Sequence, residues 1–290
     1  MDFYGEDMNI MGKDDKNIKY DLKANCSKCF GLCCTALYFS KTEGFPQNKE
    51  AGKPCLNLEG DFRCKVHDKL DIKGLKGCMA YECLGAGQKV AQVTYKGDSW
   101  RKNEKKSKEM FDVFTIMIQL HEMMWYLSEA FRIQRNDDEK RKVELMLEEI
   151  DKLTRLDAKS ILDLNIEQYR KRVNKLLLIT SEQVRKKYFK GHNPKLNNNR
   201  KIAGRFNFMG ANLKGQKLAG ENLSGSLFIA ANLTNVDFSG SDLLGSDFRD
   251  ANLSGANLSK SLYLTQAQIN AAKGDSNTKL PKSLTKPLNW

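Results

Sequence analysis

From Phe208 onward a large apolar residue returns at every fifth position: Leu213, Leu218, Leu223, Phe228, Leu233, Phe238, Leu243, Phe248, Leu253 and Leu258, with Tyr263 continuing the series. A period of five matches neither the 3.6-residue turn of a helix nor the two-residue alternation of a strand. It fits a chain that turns a corner every five residues and sends one large side chain inward on each side. Two places before each centre stands a mostly small residue, such as Ala211, Ser226, Ala231, Ser241, Ser246, Ala251, Ala256 or Ser261, which predicts a second inward position. Phe208, Phe228 and Phe248 are twenty residues apart. A four-sided coil would stack them in one column, with successive coils about 4.8 Å apart, the spacing of hydrogen-bonded strands.

The motif "ANLSGANLS" and its relatives over residues 203–264 resemble the pentapeptide-repeat family. The resemblance implies a right-handed quadrilateral β-helix. A solenoid needs capped ends. Here "LTQAQINAAKGD" predicts a short closing helix, with Thr265 and Gln268 as a capping box and Gly274 at its C-terminal exit. The tail to Trp290 would lie over it, and the rest of the protein would cover the other end. Some members of the family inhibit topoisomerases by imitating DNA, which requires a strongly acidic rod. Residues 201–264 carry six Lys or Arg against five Asp or Glu, so charge argues against a DNA mimic and for a scaffold or partner surface.

The remaining chain falls into distinct composition regimes. The expected segments are a cysteine-rich region at 1–100, a helical bundle at 101–192, a linker at 193–202, the coil at 203–264 and a cap with tail at 265–290. Together they predict a multi-domain α+β protein. Residues 101–190 contain neither Pro nor Gly, and three or four helices are expected, at about 105–134, 138–154, 158–178 and 182–190. Val143, Met146, Leu147, Ile150 and Leu153 show the amphipathic period. Of the net charge of +12, the largest share lies in the middle, where Lys and Arg number 23 against 16 acids over 101–200. Because acids are interspersed ("DDEKRKVELMLEEIDK") and no recognition motif accompanies them, the expectation is a solvated helical face without specific nucleic-acid binding. No stretch approaches the roughly 18 apolar residues of a membrane span, and the first twenty residues lack a secretion-signal pattern. The expectation is therefore a soluble cytoplasmic protein with a protein or peptide partner, its oligomeric state left open.

All eight cysteines lie between residues 26 and 83: Cys26, Cys29, Cys33, Cys34, Cys55, Cys64, Cys78 and Cys83. Close pairs of soft thiolates are what zinc or an iron–sulfur cluster requires, because local loops can gather several sulfurs around one centre. Eight is even and would allow disulfides, but a reducing compartment argues against them. "CSKCFGLCC" with "GKPCLNLEGDFRCKVHDKLDIKGLKGCMAYEC" resembles, over about residues 22–95, a bacterial cysteine-cluster family described as zinc- or iron-chelating. The resemblance implies metal at all eight cysteines. His67, in "CKVH", stands where that family commonly has tyrosine and is a weaker candidate ligand. Two zinc sites or one 4Fe-4S cluster with further cysteines left over both satisfy the count.

Other motifs carry less. "LGAGQ" at 84–88 lacks the lysine and the strand–loop–helix context of a phosphate loop and reads as a turn. His121, on the apolar "FTIMIQLHEMMWYLSEAF", reads as a hydrogen-bonded core histidine, and His192 as solvated. The resulting expectation is a metal-binding scaffold protein. The alternative is a metal- or iron–sulfur-dependent enzyme modifying a peptide or protein.

Overall fold

The computed structural model describes residues 20–102, 104–189, 191 and 201–290. His192, and the expected linker apart from residues 201 and 202, lie outside the described residues. Among those described are eight α-helices: α1 (Leu32–Ala36), α2 (Lys76–Met79), α3 (Ala86–Lys89), α4 (Glu104–Ile133), α5 (Asp137–Leu153), α6 (Ala158–Leu162), α7 (Ile166–Tyr188) and α8 (Gln266–Asn270). The chain divides into two compact units, Met1–Phe30 with Cys83–Val173, and Gly31–Glu82 with Asn174–Trp290. The division passes through the cysteine-rich segment, between Cys29 and Cys33 and again just before Cys83.

The first unit is helical. Its axis is α4, thirty residues long, which at 1.5 Å per residue spans about 45 Å. Val113, Phe114, Met117, Leu120 and Leu127 on α4 are fully buried, and α3, α5 and α6 pack against it. α5 begins where Asn136 Oδ1 accepts the Glu139 N–H at 2.9 Å, with three acids in the first turn facing the positive end of the helix dipole. Its buried face is Val143, Met146, Leu147 and Ile150, four of the five positions expected from the 3.6-residue period, while the fifth, Leu153 at the end of the helix, is half-buried. The expected helix at 158–178 is interrupted at Asp163–Asn165. The separate helix expected at 182–190 is instead the end of one continuous helix, α7.

In the second unit the last third of the chain forms the coil. Parallel bridges join residues exactly one four-sided turn apart, as in Asn207↔Leu227, Asn212↔Asn232, Lys217↔Asp237 and Asn222↔Asp242. Every centre from Phe208 to Leu258 is 1 % exposed or less. Phe208, Phe228 and Phe248 stack with ring centroids 5.3 and 5.1 Å apart, and Phe238 meets Phe228 edge-on at 6.0 Å. The second inward position also holds: Ser241 and Ser246 are buried, and their hydroxyls donate to the carbonyls of Leu218 and Leu223 on the preceding turn. Each side is too short for an extended ladder, so the turns are held by single-residue bridges. The regular strands described are one two-residue pair, β1 (Lys201–Ile202) and β2 (Arg205–Phe206).

The corners have their own chemistry. Each centre's carbonyl accepts the N–H three residues on, as in Ala211 to Phe208 at 3.0 Å. The residue before the centre is usually Asn or Asp, and its side chain accepts the N–H two residues later, as in Asn212 with Lys214 and Asn232 with Thr234. The turn's third residue has positive φ, supplied mostly by glycine. The pair β1–β2 starts the coil, with the Phe206 ring stacked 5.5 Å from that of Phe208. At the far end α8 has the expected capping box between Thr265 and Gln268. Gln268 Nε2 also donates to the carbonyls of Leu243 and Ser246. Lys273 and Lys279 continue the parallel bridging. The helix ends at Asn270 with Ala271 as its C-cap, before Gly274. Gly274 serves a different purpose there, because a β-carbon on it would lie 2.4 Å from the Trp290 ring.

One flank of the coil receives the C-terminal part of α7. Ser181 Oγ donates to the buried Asp242 Oδ2 at 2.6 Å, and Tyr263 Oη donates to the Leu177 carbonyl at 2.9 Å. Gly220 and Gly240 occupy one column here. A β-carbon on Gly220 would lie 2.6 Å from the Phe189 nitrogen, and one on Gly240 2.2 Å from the Tyr188 ring.

Candidate functional site

Five cysteines share the second unit with a buried lysine. Cys33 and Cys34 stand on α1 with their sulfurs 4.0 Å apart. The Cys55 N–H donates to the Cys34 carbonyl at 2.9 Å, which fastens the following loop to α1. Cys55 and Cys78 pack on the small core of Phe39, Phe45 and Leu75. Two of the sulfurs accept backbone hydrogens: Cys55 Sγ from Asn57 at 3.4 Å, and Cys64 Sγ from Val66.

The charges of this cluster act on one another. Burial pushes the Cys78 thiol up to about 12, and Cys34, Cys55 and Cys64 add to the rise. Burial also raises Cys64, opposed by the Val66 N–H. Cys34 moves the other way, lowered by its hydrogen bond with Cys33 and, more weakly, by Lys49. Lys49 is only 8 % exposed, and its Nζ donates to the carbonyls of Thr35, at 2.6 Å, and Leu37. Burial lowers its pKa, while Cys34, Cys55, Cys33 and Cys78 oppose that change. Among the described residues no carboxylate forms an ion pair with Lys49. Sequence reasoning missed this residue because a lysine in "PQNKEAGK" resembles any exposed turn lysine. Its inward course follows from the Phe39↔Lys49 bridge.

The other three cysteines belong to the helical unit. Asn25 caps the turn Cys26–Lys28, and the Cys29 N–H closes onto the Cys26 carbonyl at 3.2 Å. Cys26 is exposed, whereas Cys29 is half-buried. A β-carbon on Gly87 would lie 2.7 Å from Cys29 Sγ, so only glycine admits that sulfur against α3. The Cys83 carbonyl accepts the Ala86 N–H where α3 begins. His67 is exposed on the turn His67–Lys69.

All eight cysteines are thiols rather than disulfides. Among the described residues no three His, Cys, Asp or Glu side chains converge in an arrangement that would hold a metal ion. Cys34, Cys55 and Cys64 act on Cys78, Cys34 and Cys55 act on Cys64, two of these sulfurs accept N–H donors, and the nearby buried charge is a cation.

His121 behaves as the apolar helix predicted. It is 4 % exposed and bonds through Nδ1 to the Leu84 carbonyl at 2.7 Å. No helix among the described residues is long and apolar enough to cross a membrane.

Comparison with known proteins adds three findings. The family model for pentapeptide repeats matches eight copies, over residues 207–243 and 231–261. The "uncharacterized protein YybG" of Bacillus subtilis is 50 % identical over 274 residues, covering 94 % of this chain and 96 % of its own. A crystal structure of a pentapeptide repeat protein, Rfr23, from the cyanobacterium Cyanothece 51142 is 25 % identical over 26 % of this chain and 50 % of that one, with a TM-score of 0.24. Pentapeptide repeats are compatible with a scaffold or interaction surface.

Proposed function

Since this chain belongs to the family of the Bacillus subtilis protein YybG, and its C-terminal part is built of pentapeptide repeats, we propose that it is a metal-binding scaffold protein. In this reading Cys34, Cys55, Cys64 and Cys78 hold zinc or iron, and the coil presents a docking surface to a protein or peptide partner in the cytoplasm.

The observation that carries the reading is Lys49. A buried ammonium is costly unless an opposite charge accompanies it. The groups that favour its charged form are cysteines, Cys34 first among them. A buried cation beside Cys33, Cys34, Cys55 and Cys78 favours ionised sulfur, the form in which cysteine binds metal. Bound metal would supply a cross-link joining α1, the loops carrying Cys55 and Cys64, and α2, in a lobe with a small apolar core of its own. Lys76 on α2 ties the same lobe to the coil through its 2.9 Å ion pair with Asp250.

The test is elemental analysis of protein purified without oxygen. The full chain should carry zinc or iron in stoichiometric amount, and Cys55→Ser and Cys78→Ser should each lower it, while His67→Ala should not. Only trace metal in the wild-type protein, or equal content in the cysteine variants, would remove the reading.

A further inference from the structure

The helical unit contains a cavity of about 510 Å³, walled in part by Lys28, Lys89, His121, Met124, Asp151 and Arg155. That volume falls within the usual range of sites for small organic ligands. None of the cysteines lines it.

Two polar groups on its walls have hydrogen-bonding capacity left unused among the described residues. The first is His121. Its Nδ1 faces the Leu84 carbonyl, which can only accept, so Nδ1 carries the hydrogen and Nε2 presents a lone pair. Burial depresses the ring's pKa to about 4, which keeps it neutral and accepting at pH 7. Among the described residues nothing bonds to Nε2, and the residue as a whole is 4 % exposed. The second is Lys89, half-buried on α3, whose ammonium has no hydrogen bond or ion pair among the described residues. Its pKa is lowered by burial and then by Arg155, with Asp151 opposing the change.

The carboxylates of the cavity are already hydrogen-bonded, although Asp151 also favours the charged form of Lys89. Asp151 is engaged by the Arg155 guanidinium, Nε to Oδ2 at 3.1 Å and Nη2 to Oδ2 at 2.9 Å. Asp21 accepts from the Lys23 N–H and from Gln88 Nε2. With Lys28 also on the wall, the unmatched charge is positive. Leu22, Val93 and Met124 complete the lining with apolar surface.

We propose that this cavity binds a small organic anion bearing a hydroxyl group, with its carboxylate or phosphate at Lys89 and Lys28 and its hydroxyl donating to His121 Nε2. The assignment uses a different unit and different residues from the metal reading, so either can fail alone.

The experiment is thermal unfolding of the full chain titrated with glycerol 3-phosphate and, separately, with malate; a ligand that binds only the folded state raises the melting temperature saturably. At least one probe should do so, and the comparison between them tells phosphate from carboxylate. Lys89→Met keeps the aliphatic stem and should weaken the response by about tenfold or more, equivalent to about 1.4 kcal/mol. Propyl phosphate or succinate, lacking the hydroxyl, should bind more weakly than its hydroxylated counterpart. In the wild-type protein the bound probe should also move the His121 ring-nitrogen signal in ¹⁵N NMR. A saturable response undiminished in a folded Lys89→Met variant would overturn the proposal. So would the absence of saturable stabilisation by either probe at millimolar concentration.

Discussion

Replacing Gly240 and Gly245 by alanine, one at a time, separates the coil's own requirements from those of the helix beside it. Both glycines occupy the same place in the repeat, with φ of +66° and +62°. An L-residue in that conformation costs about 1–2 kcal/mol, and the stiffer unfolded chain returns about 0.4–1 kcal/mol. Ala230 already occupies the equivalent position at φ +54°, so the coil accepts a methyl group there. At Gly245 a β-carbon would meet nothing within 4 Å. The expected loss for Gly245→Ala is therefore about 1 kcal/mol or less. At Gly240 the same atom would sit 2.2, 2.4 and 2.8 Å from Tyr188 Cδ2, Cγ and Cβ. The nearest of these belong to the root of the ring rather than a movable tip, so the end of α7 must shift. Overpacking of that kind adds about 1–3 kcal/mol. Urea unfolding followed by circular dichroism should thus rank Gly240→Ala below Gly245→Ala by about 1–3 kcal/mol. Equal losses would refute the packing of α7 against this column.

Two further perturbations probe the interior of each unit. Leu233→Asp places an unpaired carboxylate between Leu213 and Leu253 at a site with 0 % exposure and should cost several kcal/mol, whereas Ser254→Asp, at a part-exposed position, should cost less than about 0.5 kcal/mol; similar melting temperatures would mean that the inward register is wrong. His121 has a folded-state pKa of about 4 against an ordinary 6.5, so the folded state resists a proton that the unfolded chain accepts. Its stabilising contribution is complete above about pH 6.5 and is lost as pH falls toward 4, by up to about 3 kcal/mol at 1.36 kcal/mol per unit. His121→Gln should flatten the stability–pH curve in that window, and an unchanged slope would sink the assignment.

How far the sequence could be read depended on how local the causes were. The five-residue spacing of Phe and Leu was enough to specify the four-sided coil, because every side repeats the same turn and every centre meets its copy one coil away. The capping box at Thr265 and the amphipathic face of α5 are equally local. The corner signals, Asn or Asp before each centre and glycine two places after it, were present in the same repeat and went unread. The continuity of α7 was not legible, since "ITSEQ" looks like a polar break. Thr180 and Ser181 are in fact fully buried, and Ser181 is matched by Asp242, sixty-one residues away. The cysteine spacing indicated thiolate chemistry in general. Which cysteines share a unit, and that Lys49 is buried with five of them, depends on the loop between α1 and Cys55 folding back, as the Phe39↔Lys49 bridge shows. Gly220 and Gly240 are likewise indistinguishable from Gly245 in sequence. Only the helix packed against the first two makes their missing β-carbons necessary. Residue pattern determined what each segment can bury, and long-range contacts decided which groups that burial brought together.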